Sequence, residues 1–484
     1  MRKTSISAEQ QALMLQRRQW LRLAGGTLAG AFGTVGLGSL LLAPRPAWAA
    51  DYKALVCLFL YGGNDGLNTV VPTDATRHGQ YAAVRGGLAL PRGRLVPLAG
   101  TDYGLHPSMA ALANAWNDGA LAPVFNVGPL FRPMTKAEYR AAPASSTLIP
   151  DSLFSHSHQQ ALWESGTTSA MTRSGWGGRA AEVLATANPV ISLGGGGRYG
   201  LSTLDAPLGL PGPGANFGLD GLSAQDTQWA PMMAKKNALA AMYAQAQDNT
   251  LADAFARQHR DAVTTAERLA PVVKMLPGQA GAAIDQAFAP LTANGRLTTP
   301  LANQLYQIAK LIANNATVQG NRQIFMASLG GFDTHGGQIS SDATQGQHAA
   351  LLKQMADATA AFYQAMKNLG MAQQVTLFTQ SDFGRTFKPN TSNGTDHAWG
   401  NHQLVLGGAV RGRTSYGTYP VLQLGGPDDV GVDSWEQQGR WLPSTSVDQY
   451  AATLLRWFGA TDAQVRSVLP NWGNFSQQPV LGFL

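Results

Sequence analysis

The sequence has a single cysteine and few charged residues. Of its 484 residues only 13% are charged, while 44% are hydrophobic, which excludes a disordered chain and a coiled coil. The lone Cys57 cannot form an intramolecular disulfide. Because it lies within an apolar run, we interpret it as a buried structural thiol.

The net positive charge is concentrated near the N-terminus. The formal charge is +6, but residues 1–49 alone hold six bases and one acid. Removing these from the totals of 35 bases and 29 acids leaves 29 bases and 28 acids. A body so close to neutral does not attract a polyanion by its net charge, so we expect no nucleic acid partner.

Residues 1–49 have the order of features of a signal peptide. A basic segment with Arg17 and Arg18 precedes the glycine-diluted apolar stretch 23–43, and Ala47-Trp48-Ala49 fits a cleavage site. Adjacent arginines resemble the bacterial twin-arginine signal. The segment therefore predicts recognition by the twin-arginine export machinery, cleavage, a periplasmic or secreted location and no stable membrane span afterwards. The alternative is a retained anchor, because about 20 apolar residues can span a bilayer.

After residue 50 the chain alternates short apolar runs with longer helical patterns. A helix with apolar residues spaced three to four apart, from Leu351 to Leu369, lies between the third and fourth predicted strands, which implies a partly parallel sheet. We predict one α/β domain over residues 50–484, with a helical insertion or cap near residues 194–300. Further helices are predicted over 301–313 and from Ser446 to Gly459. The predicted strands are Ala54 to Leu60, Leu121 to Val127, Gln323 to Leu329, Val375 to Thr379 and Gln403 to Leu406.

Four polar clusters adjoin these strands. Three follow strands, and the fourth precedes the last strand, so it would reach the others from a loop. Ligands of open α/β sheets bind beyond the carboxyl ends of strands, where the first three clusters are expected to converge. Carboxylates and imidazoles are ligands of divalent ions, and flanking glycines allow close approach of the backbone. The candidate metal ligands are Asp65, Asp333, His335, Asp382, His397 and His402.

Each cluster also has a purely structural interpretation. Asp65, in Gly-Asn-Asp-Gly, is typical of a turn. Asp382 is placed to cap a helix and to pair with Arg385. Asp333 and His335 are harder to explain in this way, because residues two apart in an extended chain face the same side and can chelate one ion.

A fifth cluster, residues 153–160, precedes an apolar helical segment. A serine at a helix N-terminus lies in the positive field of the helix dipole, which makes Ser155 a candidate nucleophile beside His156. The alternative is that Ser155 or Ser157 is an N-cap. The sequence has no Gly-x-Ser-x-Gly motif, which argues against an ordinary α/β-hydrolase esterase, and Gly194 to Gly197 lacks the Lys-Ser/Thr of a phosphate-binding loop.

Five segments in the same order resemble the bacterial family called domain of unknown function 1501. The resemblance extends over nearly all of the chain after the signal segment, and members of that family typically carry twin-arginine signals. The family is grouped with the alkaline phosphatase and sulfatase superfamily. The resemblance therefore implies an alkaline-phosphatase-like fold, a mostly parallel central sheet flanked by helices with a metal site at its carboxyl edge. The segments are residues 58–72, 153–157, 331–335, 381–386 and 396–402.

The resemblance also implies roles for individual residues. Asp65 would be the ligand after the first strand, Ser155 the nucleophile, and Asp333 with His335 the acid and histidine of one metal subsite. Asp382 would be the acid after the following strand, with His397 or His402 as the late histidine. Two features depart from the active phosphatases. The first Asp and His are two apart where those enzymes space them four apart, and Phe383 replaces the histidine that usually follows the later acid. Both departures weaken the expectation of a second ion.

These observations predict an exported metal-dependent hydrolase that acts on small anionic phosphate or sulfate esters. The expected cofactor is a divalent ion, zinc, manganese or calcium, with Ser155, His156 and Arg385 as catalytic residues; Arg385 would bind the oxyanion. The alternative is a noncatalytic periplasmic binding or assembly protein that keeps the fold and has other envelope proteins as partners. A serine hydrolase that works without metal is a third and weaker hypothesis, because adjacent residues at the start of a helix rarely align as nucleophile and base.

Overall fold

A central sheet of eight strands organises the residues that the computed structural model describes, which are 51–143, 145–218, 226–245 and 249–484. The strands of the chain are β1 Lys53–Leu60, β2 Val70–Pro72, β3 Val96–Pro97, β4 Tyr103–Leu105, β5 Leu121–Gly128, β6 Ile191–Ser192, β7 Leu208–Gly209, β8 Thr292–Ala293, β9 Arg296–Leu297, β10 Arg322–Leu329, β11 Val375–Ser381, β12 Asn401–Leu406 and β13 Thr445–Ser446. The order in the central sheet is β13-β5-β12-β11-β1-β10-β6-β7.

The sheet is mostly parallel. β12 runs antiparallel to its neighbours β11 and β5, and the other pairings of the central sheet are parallel. The predicted α/β class with a mostly parallel sheet is therefore confirmed, and the five predicted strands are found within two residues at either end. A parallel strand that is buried on both faces of a sheet needs a nearly continuous apolar run. β1 has such a run after its first residue.

Helices pack on both faces of the sheet, and alternate residues of β1 face the two sides. Val56 and Leu58 belong to the hydrophobic core that contains helices Pro300–Ala313 and Gln347–Asn368. Cys57 and Phe59 belong to the core on the other side, which contains Trp176–Val183 and Val447–Phe458. The α-helices are Gly66–Thr69, Ala75–Arg85, Ala113–Asn117, Lys136–Ala141, His156–Ser165, Trp176–Val183, Ala230–Ala244, Thr250–Val273, Ala282–Phe288, Pro300–Ala313, Asn315–Val318, Gln347–Asn368, Val447–Phe458 and Asp462–Val468.

The predicted helix boundaries follow from capping residues. Ser446 and Gln449 form a capping box at the start of Val447–Phe458, which ends at Gly459 in the left-handed conformation. Helix Gln347–Asn368 stops just before Gly370, whose φ is +69°. The sequence predicts both helices, Gln347–Asn368 from the spacing of its apolar residues and Val447–Phe458 from its capping box and Gly459.

The region 194–300 adds structure at one edge of the sheet. β7 pairs with β6, which itself pairs with β10. Helices Ala230–Ala244 and Thr250–Val273 follow and contact one another. That this region is an insertion or cap stays a prediction.

The predicted signal peptide, residues 1–49, lies outside the described residues. The described residues belong to one compact unit, Trp48–Leu484. Within the part of the chain that the structure describes, no helix is long and apolar enough to cross a membrane.

Candidate metal centre

The carboxyl ends of three adjacent parallel strands bring distant polar residues together. Because β11, β1 and β10 are neighbours, the loops that follow them meet at one edge of the sheet. The loop after β10 carries Asp333 and His335, and the loop between β11 and β12 carries His397. His156 joins them from the first position of helix His156–Ser165.

These four side chains form a group able to hold a metal ion. One ligand atom from each of His156, Asp333, His335 and His397 lies within 4.8 Å of the others. Asp333 Oδ1 is 3.2 Å from His156 Nε2, 3.1 Å from His335 Nε2 and 3.5 Å from His397 Nε2. The Nε2 atoms of His335 and His397 are 2.7 Å apart.

The other nitrogen of each ring has an acceptor outside the group. His156 Nδ1 lies 2.7 Å from Asp382 Oδ2, and His335 Nδ1 lies 2.8 Å from Asp396 Oδ1. His397 Nδ1 lies 2.6 Å from the backbone oxygen of Phe154. Because carbonyl and carboxylate oxygens only accept, the three Nδ1 atoms are assigned as the donors.

This assignment leaves the Nε2 atoms of the three imidazoles unprotonated, and all three lie within 3.5 Å of Asp333 Oδ1. With neutral imidazoles, three ring nitrogens and one carboxylate oxygen form a donor set that suits a divalent cation. The Nε2 atom of His156 is buried and, in the described part of the chain, has no hydrogen-bond partner, although Asp333 is close. Zinc bonds nitrogen at about 2.0–2.1 Å, so ligand atoms of a tetrahedral ion lie about 3.3 Å apart. The three distances from Asp333 Oδ1 match that spacing, whereas the 2.7 Å between the Nε2 atoms of His335 and His397 is shorter.

Arg385 fixes the charge and the position of Asp333. Its Nη2 lies 2.5 Å from Asp333 Oδ1. Burial acts to raise the pKa of Asp333, but the hydrogen bond and charge of Arg385, with the nearby imidazoles, hold that pKa below its usual value. The hydrogen bond to Asp382 raises the pKa of His156, while burial lowers the pKa of His397.

The guanidinium of Arg385 is buried and donates hydrogen bonds to other groups of the protein. Besides Asp333 it donates to the backbone oxygens of Gly62, Gly63, Phe332 and Thr395. These contacts tie together the loops that follow β1, β10 and β11. The role of Arg385 toward an oxyanion stays a prediction.

Asp65 lies outside the four-residue group, in a buried ion pair. Its two carboxylate oxygens are 2.5 and 2.6 Å from Arg85 Nη2, and Gln338 Nε2 donates to Oδ2 at 2.6 Å. Burial acts to raise the pKa of Asp65, but the charge of Arg85, the nearby His348 and the hydrogen bonds from Gln338 and Arg85 together lower it. Asp65 also accepts from Asn68 N and caps a short helix, as its turn interpretation expects.

His402 and Ser155 also lie outside the group. His402 is buried in β12, where its Nδ1 accepts from the backbone N–H of Asn126 at 3.1 Å. Ser155 is the N-cap residue of helix His156–Ser165, and its Oγ lies 3.1 Å from His158 Nδ1. His156, its predicted partner, is directed toward Asp382 instead.

Sequence reasoning missed two features of the centre. The sequence predicts His156 as a catalytic residue and not as a ligand, and it assigns no role to Asp396. A signal for each was present. Gln160 follows His156 by four residues, so both can reach Asp382, and Gln160 Nε2 donates to its Oδ2 at 2.8 Å. Asp396 directly precedes His397.

The surroundings of Gly62 require a glycine at this position in the loop after β1. Its φ is +111°, and a Cβ atom there would lie 2.4 Å from the backbone nitrogen of Asp333. Only glycine allows the loop after β1 to pass so close to the backbone that carries Asp333.

Comparison with known proteins supports the resemblance noted in the sequence. The family model described as "Protein of unknown function (DUF1501)" matches residues 52–430, a range that includes all the residues of the centre. A comparison with curated proteins finds no match.

Proposed function

This chain belongs to the DUF1501 family, and we propose that it is an exported hydrolase of phosphate or sulfate esters that depends on one divalent metal ion. The observation that carries the proposal is the convergence of three imidazole Nε2 atoms on Asp333 Oδ1. His156, Asp333, His335 and His397 would hold the ion. A set of three nitrogens and one oxygen favours zinc over calcium, which prefers oxygen ligands.

A divalent ion held there would polarise an ester oxygen and lower the pKa of bound water. The side chains of Asp333 and His335 are 48% and 45% exposed, which supports access of a small anionic substrate. Ser155, at the N-terminus of helix His156–Ser165, is the proposed nucleophile, because the helix dipole stabilises a developing alkoxide.

The proposed fold relationship is to the alkaline phosphatases and sulfatases. It is supported by a mostly parallel sheet with the polar group at its carboxyl edge. We propose one ion and not two. Asp65, the acid after the first strand, forms a buried ion pair with Arg85, so it is not free to bind a second ion.

We also propose a bacterial periplasmic or secreted location. The support comes from the twin-arginine pattern of residues 17–18 and the small residues before position 50. The export machinery and other envelope proteins are the proposed partners.

A noncatalytic binding or assembly protein that keeps one ion is the second candidate. It is favoured by the hydrogen bonds of Arg385. This side chain donates to backbone oxygens and to Asp333 within the protein, where an oxyanion-binding arginine would donate to substrate. Under this candidate the ion would serve to hold the strand-end loops together.

The first experiment measures the metal content of the mature protein by elemental mass spectrometry after dialysis against metal-free buffer. We expect about one equivalent of zinc. The variant Asp333→Ala, His335→Ala should hold none, whereas His158→Ala, which changes a neighbouring histidine outside the group, should keep its zinc. A wild-type protein that stays metal-free after reconstitution would contradict the proposal.

The second experiment screens phosphate and sulfate esters for turnover. Ser155→Ala should abolish hydrolysis while zinc stays bound, and Ser157→Ala is the matched control. If the zinc-loaded wild type turns over no ester in the screen, the noncatalytic candidate replaces the hydrolase.

A further inference from the structure

We infer that Asp382 and Asp396 are positioning residues that orient two metal-binding imidazoles through their Nδ1–H groups, and that Asp382 is not itself a ligand. The inference deepens the proposed function and rests on its metal centre. It differs from the role that the family resemblance implies for Asp382, which is that of a metal ligand.

Both carboxylate oxygens of Asp382 are used by donors of the protein. Oδ2 accepts from His156 Nδ1 at 2.7 Å and from Gln160 Nε2 at 2.8 Å. Oδ1 accepts from the backbone N–H of Gly62 at 3.1 Å. The side chain is fully buried. These contacts come from a helix and from the loop after β1, so they hold the carboxylate in one orientation.

The position of Asp382 relative to the imidazole decides its role. An imidazole carries its two nitrogens on different edges of the ring, and Asp382 lies at Nδ1 while Nε2 faces Asp333. A carboxylate at Nδ1 acts on an ion at Nε2 through the ring. It fixes the tautomer and the ring plane, and it makes Nε2 more basic.

Asp396 has the same relation to His335. Its Oδ1 lies 2.8 Å from His335 Nδ1 and accepts from Asn390 Nδ2 at 3.1 Å. Asn390 also donates to the backbone oxygen of His335 at 2.8 Å, so the acid and the histidine are held by a common residue. Asp396 is only partly buried, which makes it the more tolerant position for substitution.

The test uses the full mature protein loaded with cobalt(II), whose visible absorption reports the ligand atoms, and zinc, whose affinity is measured by competition with a chelator. We expect Asp382→Asn and Asp396→Asn each to weaken zinc binding about 10–100-fold. Both should keep the shape of the wild-type cobalt spectrum, because the ligand atoms are unchanged. His156→Ala should change that shape, because it removes a ligand.

Glu164→Gln is the matched control for Asp382→Asn. It alters another buried carboxylate, on the same helix as His156, that accepts from Tyr61 Oη at 2.8 Å and from Arg198 N at 2.6 Å. Its zinc affinity should equal that of the wild type. If Asp382→Asn does not fold, Asp396→Asn tests the same relation at a partly exposed side chain.

Two results would overturn the inference. One is a cobalt spectrum of Asp382→Asn that changes as that of His156→Ala does, which would make Asp382 a ligand. The other is an unchanged zinc affinity in the carboxylate variants. A wild type that binds cobalt and zinc but turns over no ester contradicts the hydrolase alone, whereas a wild type that binds neither ion overturns both.

Discussion

His335 Nε2 and His397 Nε2 lie 2.7 Å apart, and both face Asp333 Oδ1. Two ring nitrogens at this distance repel unless a proton or a cation lies between them. Since the Nδ1 atoms of both rings donate to other acceptors, a proton at Nε2 would make an imidazolium. If both rings are neutral, a metal ion that both Nε2 atoms ligate would remove this repulsion, so we expect the stability of the protein to depend on metal.

Zinc should accordingly stabilise the protein against unfolding. At a free concentration 100 times the dissociation constant, the expected gain is about 2.7 kcal/mol. Differential scanning fluorimetry with and without zinc measures it. His335→Ala should lose the zinc-dependent rise in Tm, and His158→Ala should keep it. An equal rise in wild type and His335→Ala would place the stabilising ion elsewhere.

The buried pair of Asp65 and Arg85 should act on stability and not on metal binding. Both side chains are fully buried, so Asp65→Ala leaves an uncompensated charge and should cost about 3–5 kcal/mol in urea unfolding. Asp357→Ala, which breaks an exposed helical pair with Lys353, should cost less than about 0.5 kcal/mol.

Metal content distinguishes this role of Asp65 from that of a ligand. The folded Asp65→Ala protein should bind as much zinc as the wild type. A loss of zinc comparable to that of the Asp333→Ala, His335→Ala variant would show that Asp65 contributes to the centre.

Local sequence patterns are enough to predict five of the eight strands of the central sheet. The apolar runs of β1 and β10 are long and bounded by glycine or polar residues, so their limits could be predicted within one residue. The order of the strands could not be predicted, because β1 pairs with β10 and β11, which lie far away in the sequence. Side-chain packing on the two faces selects that order.

The candidate site could be predicted in part. Asp333, His335 and His397 were named from residue type and neighbouring glycines, and the structure brings them together. The separation of Asp65 from them depends on Arg85, a residue of a helix with no motif of its own. Which of two acids binds an ion and which supports a histidine depends on distances of a few ångströms, which spacing in the sequence does not encode.

Asp448 should make stability fall as pH rises. Burial raises the pKa of its carboxyl to about 8 from an ordinary value of 3.8. Between these values the folded state binds one proton more than the unfolded state, so raising the pH destabilises the fold by up to about 1.4 kcal/mol per pH unit. Asp448→Asn should remove this slope in urea unfolding measured from pH 5 to pH 8. Parallel curves for the two proteins would contradict the shift.

Gly62→Ala should weaken metal binding as well as the fold. Its φ is +111°, so a side chain there is strained by about 1–3 kcal/mol, and the new Cβ would lie 2.4 Å from Asp333 N and force that backbone to move. Gly195→Ala is the matched control, because its φ is +99° but a Cβ there meets no described atom within 4 Å. We expect similar strain in both variants by urea unfolding, but a fall in zinc affinity of about tenfold or more only in Gly62→Ala, since displaced ligands bind less tightly. Equal zinc affinity in the two variants would mean that the approach of Gly62 does not position Asp333.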